Sequence, residues 1–112
     1  MSHADLTALA RTLDDALAAL DGVIAVYSPD PAVARAAREL MAGGEAPART
    51  RVVTDDERLV VRAAIGVDAR TAAPGIARAA ARTIRELAGG DAEVSVSVRR
   101  VASIPPALES LT

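Results

Sequence analysis

The chain contains no cysteine, lysine, phenylalanine or tryptophan, and one histidine and one tyrosine in 112 residues. Without cysteine, disulfides and thiolate metal sites are excluded. Without aromatics beyond Tyr27, the core has to be built from Val, Leu, Ile and Ala, and stacking platforms for nucleobases or cofactors are scarce. All thirteen basic residues are Arg, as a G+C-rich coding bias would produce. A formal net charge of -2 supplies no global pull toward nucleic acid.

No apolar run approaches the roughly 20 residues that span a bilayer, which argues against direct membrane insertion. Met1 to Asp5 lack the basic and apolar segments of a signal peptide, so the expected compartment is the cytoplasm.

Chemistry is equally sparse. His3 stands at a chain end, and no Ser-His-Asp arrangement can be built around it. Asp14-Asp15 and Asp55-Asp56-Glu57 lack the alternating spacing of a calcium loop, and adjacent helical carboxylates diverge by about 100°. They read as a solvated helix face and a turn. Gly43-Gly44 and Gly89-Gly90 follow helices, whereas a phosphate cradle needs glycines before one. No catalytic residue, cofactor site or metal site is expected.

What is present is periodicity. Leu6, Leu9, Leu13, Leu17 and Leu20 form one stripe of a helix from Asp5 to Leu20, with Ser2 and Asp5 in capping-box spacing and Asp21-Gly22 as its stop. Val23 to Tyr27 reads as a short buried strand. Asp30 and Pro31 open a second helix faced by Val33, Ala37, Leu40 and Met41 and stopped by Gly43-Gly44. Thr50–Thr54 and Arg58–Val67 form a hairpin around Asp55-Asp56-Glu57.

Thr71 is placed to cap a third helix ending near Ala88, with Ile76, Ala80, Ile84 and Leu87 facing inward. In the last strand, Glu93 to Arg99, Val94, Val96 and Val98 point in while Ser95, Ser97 and Arg99 point out. The crossover through the third helix makes the flanking strands parallel.

The expected fold is α/β (α+β): a two-layer sandwich, with a four-stranded mixed sheet and three helices mainly on one face. Residues 1–102 form the single domain and 103–112 a loose C-terminal tail.

One surface stands out. Arg78, Arg82 and Arg85 lie within about 60° of arc on the outer face of the third helix, with Glu86 at the border. Together with Arg99 and Arg100 they are the candidate partner-binding residues. With the acidic first helix, where Asp5, Asp14, Asp15 and Asp21 stand against a lone Arg11, two ordinary solvated faces would give the same pattern; an acidic partner or a phosphate-bearing surface is the functional alternative.

Taken in order, Gly22-Val23 after a leading helix, the strand Leu59–Val67, Val67-Asp68, Pro74-Gly75-Ile76-Ala77 and Glu93–Val98 resemble the alkaline shock protein family of bacterial envelope stress response proteins. The resemblance covers Arg51–Val101 best, Leu6–Tyr27 more weakly, and departs where Ala69, Arg70 and Gly75 replace the family's aromatic, glycine and acid. It implies a non-catalytic cytoplasmic protein that self-associates as a homo-oligomer or docks on membrane-anchored, envelope-associated partners. The alternative is a small nucleic-acid-binding domain using the same arginines, which the charge balance and missing aromatics disfavour.

Overall fold

The structure is a computed structural model that describes residues 2–29, 48–68, 70 and 72–101. The predicted second helix, the tail 103–112 and Thr71 lie outside the described residues. The described chain is α+β, with two helices and a four-stranded sheet: α1 (His3–Ala18), β1 (Val23–Tyr27), β2 (Arg51–Asp55), β3 (Arg58–Asp68), α2 (Ala73–Ala88) and β4 (Glu93–Val101).

Helix α1 starts at the expected capping box. The Ser2 hydroxyl accepts the Asp5 amide and the Asp5 carboxylate accepts the Ser2 amide, both at 3.2 Å, so two otherwise orphaned donors are satisfied. Its leucine stripe carries the packing, with Leu13 and Leu17 fully buried and Leu9, together with Leu20 just beyond the helix end, against the same core.

The sheet is organised around β3. It pairs in parallel with β4 from Val60↔Glu93 to Asp68↔Val101, as the crossover predicts. Its other edge is shared. β2 pairs antiparallel with Arg58–Arg62, and β1 pairs antiparallel with Ala64–Val67. β1 and β2 therefore run in the same direction, end to end, like one strand that leaves the sheet after Tyr27 and re-enters at Arg51.

The hairpin is tighter than expected. Two residues, Asp56 and Glu57, make the turn between β2 and β3, and both have positive φ. That matches the twist of the flanking strands.

One face of β3, carrying Val61, Ala63, Ile65 and Val67, is wholly buried beneath the helices. Ile76, Ala80 and Ile84 of α2 close over it beside Val94, Val96 and Val98 of β4. Because the apolar surface lies on one side of the sheet, both helices pack there.

Four local expectations are corrected. The residue at the N-cap of α2 is Ala72 rather than Thr71, it gives no side-chain bond, and Pro74 in the first turn helps start the helix instead. Leu87 is 44% exposed. The packed row follows the i, i+4 ridge Ile76–Ala80–Ile84–Ala88, which drifts about 40° per step and leaves Leu87 about 100° from Ala88. The last strand continues two residues further, to Val101, because β3 offers partners as far as Asp68. β1 is only half-buried: Val26 is enclosed but Ile24 is 54% exposed, where a bulge between Val23 and Ala25 turns it out of the sheet.

Candidate interaction surfaces

The five arginines singled out from the sequence fall on different sides of the molecule. Arg78, Arg82 and Arg85 lie on the face of α2 turned away from the sheet. With Ala81 and Glu86 they line a shallow depression of about 480 Å³. Among the described residues no hydrogen bond or ion pair holds these three guanidinium groups. Such a row is an exposed cationic strip.

Arg99 belongs to the opposite side of the molecule. On the outer face of the sheet its Cζ sits 5.0 Å from the centroid of the Tyr27 ring, a cation–π contact. The two side chains meet across Gly66, which carries no side chain to separate them. A Cβ at Gly66 would lie 2.8 Å from Tyr27 Cε2 and 3.2 Å from Val101 Cγ2. Arg100 has the other parity, in register with the inward-facing Val67. The structure thus keeps Arg78, Arg82 and Arg85 together and separates Arg99 and Arg100 from them and from each other.

The β4 part of the outer face from Glu93 to Ser97 is polar. Glu93, Ser95 and Ser97 of β4 are exposed beside Val60 and Arg62 of β3. With Pro29 they border a second open groove of about 420 Å³.

The strand-to-helix turn after β3 closes on itself. The Asp68 carboxylate accepts the Arg70 amide at 2.8 Å, the Asx-turn pattern, and its oxygen lies 3.7 Å from Arg70 Nε. Arg70 is 86% exposed, so this pair sits in solvent rather than in an enclosed polar pocket.

A contact that the sequence reading missed joins the helical layer to the sheet. Asp14 accepts the amides of Arg49 and Thr50, and Arg49 in turn donates from its guanidinium to the Val26 carbonyl at 2.8 Å. No local signal announces it, since the partners lie far apart in sequence. Among the described residues, no group of three His, Asp or Glu side chains converges as a metal site would require. No described helix is long and apolar enough to cross a membrane. Comparison with family models, with curated proteins and with solved structures finds no match.

Proposed function

We propose that this chain is a non-catalytic interaction protein of the alkaline-shock type, working in the bacterial cytoplasm by self-association and by docking on envelope-associated, membrane-anchored partners. The carrying observation is the row Arg78, Arg82 and Arg85, three guanidinium groups with no partner among the described residues, around a shallow depression. A shallow, open, cationic strip suits an extended acidic surface better than a small substrate, which is held in an enclosed cavity. The order of elements from β3 through α2 to β4 is the part of the chain that carries the family resemblance. In this reading the second predicted helix joins α1 and α2 on the same face, completing a two-layer sandwich with three helices.

The same row gives a second reading, nucleic-acid binding, some support. Against it, the lone aromatic, Tyr27, lies on the far side of the sheet from the row, so no base-stacking platform adjoins the cationic strip.

One experiment separates them. The full chain is used to pull down partners from bacterial membrane fractions, alongside binding to single- and double-stranded nucleic acid over a range of salt. Retention of an envelope protein, lost on Arg78→Glu with Arg82→Glu, supports the docking reading. Salt-sensitive retention on nucleic acid lost in the same variant, with no envelope partner, overturns it.

A further inference from the structure

The two long edges of the sheet are treated differently. On the β1/β2 side the edge is broken by the bulge at Ile24 and by the departure of the chain between Tyr27 and Arg51. Both devices spoil strand addition. β4 has neither. It runs unbroken from Glu93 to Val101, pairs with β3 on one side, and among the described residues no strand pairs with its other side. It contains no Pro or Gly, and Val94–Val98 carry no charge. Val94, Val96 and Val98 pack against the core yet stay half-exposed, while their neighbours Val61 and Ile65 on β3 are fully buried.

The sequence of this edge reads as its own complement. About Val96, Glu93-Val94-Ser95-Val96-Ser97-Val98-Arg99 is symmetric in side-chain type, with opposite charges at its ends. We infer that β4 pairs antiparallel with β4 of a second copy about a two-fold axis at Val96, joining the two sheets into one.

In that register Glu93 of each copy faces Arg99 of the other, Ser95 faces Ser97, Val94 faces Val98, and Val96 faces itself. Every pair matches in face as well as chemistry, because the alternation seats the valines on the helix side and the serines and charges on the outer side. The alternatives fit worse. A slip of one residue sets Val against Ser across the join. A parallel, in-register pairing sets Glu93 against Glu93 and Arg99 against Arg99. A two-fold pairing closes after two copies, so the edge is consumed rather than propagated into a fibre. Arg99 exchanges its stacking over the half-buried Tyr27 ring for the carboxylate of the second copy's Glu93.

This inference rests on the self-association half of the proposed function and names the surface responsible. Its test is sedimentation equilibrium of the full chain and three charge variants. A dimer is expected, with Glu93→Arg and Arg99→Glu each weakening it about tenfold or more, since each sets like charges opposite at both ends of the join. Combining the two restores affinity to within about threefold, which no merely unfolded variant would do. Because the chain has no cysteine, Val96→Cys supplies a clean cross-link: on the axis two such residues stand about 4.5–5.5 Å apart between Cα atoms, within disulfide reach. Ser95→Cys, off the axis, is expected to cross-link far more slowly. A dimer indifferent to both charge reversals, or one the double variant fails to restore, overturns this register while leaving self-association intact. A strict monomer that still captures an envelope partner overturns the pairing and leaves the docking reading standing.

Discussion

The carboxylate of Asp14 on α1 holds the amides of Arg49 and Thr50, each 2.7 Å from one of its oxygens. These are the last residues before β2, where the chain re-enters the edge of β3 that it left after Tyr27. Arg49 also bonds the Val26 carbonyl, so the exit and the return are tied to each other and to the helix above. Asp14→Ala leaves two amides without acceptors, one of them on the fully buried Thr50. The expected loss in urea denaturation is about 2–3 kcal/mol. Asp15→Ala, on the exposed side of the same helix, is expected to stay within about 0.5 kcal/mol.

Thr50 carries a second, opposite expectation. Its side chain is buried, and its Oγ1 finds no hydrogen-bond partner among the described residues. A desolvated hydroxyl without a partner is a net cost, so Thr50→Val keeps the shape and removes the penalty. The amide bond to Asp14 is unaffected because it uses the backbone. Stability should rise by about 1 kcal/mol. A fall in unfolding free energy of similar size would show that the hydroxyl is satisfied.

The contrast between Asp14 and the leucines shows what can be read from the chain in advance. The Leu13–Leu17 stripe, the Ser2–Asp5 capping box, the alternation of β4 and the parallel β3–β4 pairing depend on residues close in sequence or on handedness rules, and all were legible. Asp14 and Asp15 read as solvated acids because side chains that diverge by about 100° do not converge on one ligand. The fold uses that divergence, turning one inward to the Arg49–Thr50 backbone and leaving the other in water. Nothing local encodes a contact made across the sheet edge. Likewise the Arg78–Arg82–Arg85 row followed from helical geometry, but the distance of Arg99 from it depends on which face of the sheet the helix covers.

The β2–β3 turn is built from residues ill-suited to it. Asp56 and Glu57 adopt φ of 49° and 67°, the left-handed region that Asn-Gly fills best. Asp tolerates this conformation through its short polar side chain; Glu has no such compensation. Glu57→Gly is therefore expected to stabilise the protein by about 0.5–1 kcal/mol, after the greater entropy of Gly in the unfolded chain is counted. Glu57→Val should do the reverse, because a β-branched residue resists positive φ most strongly. Thermal unfolding of the pair, measured side by side, gives the sign directly.

The N-terminal cap has a pH signature. Hydrogen bonds from the Ser2 amide first, and then from the Ser2 hydroxyl, hold the Asp5 carboxyl below its ordinary range. The folded state therefore binds this proton less tightly than the unfolded state. The stabilisation is complete above the unfolded carboxylate pKa, about 4, and is lost as pH falls through the lower folded value. Helix α1 should fray from its first turn in acid before the sheet responds. NMR titration of the Asp5 carboxyl, with the Ser2 amide shift as a second reporter, checks this. A midpoint at or above the ordinary carboxylate value would contradict it.

Gly66, Tyr27 and Arg99 form the last testable unit. Gly66 is buried on the outer face because the Tyr27 ring lies across it, and the nearest ring atom would be 2.8 Å from an added Cβ. That atom belongs to the far end of a rotatable side chain, so Gly66→Ala is expected to displace the ring rather than the strand. The cost is then about 1 kcal/mol. Gly66→Val, which also presses on Val101, should cost about 2–3 kcal/mol. Tyr27 is the only aromatic residue, so its fluorescence and near-ultraviolet dichroism report the displacement without background. In a Tyr27→Ala background, where the obstructing ring is gone, Gly66→Ala should lose most of its penalty. An undiminished cost there would place the conflict in the backbone of β3 instead.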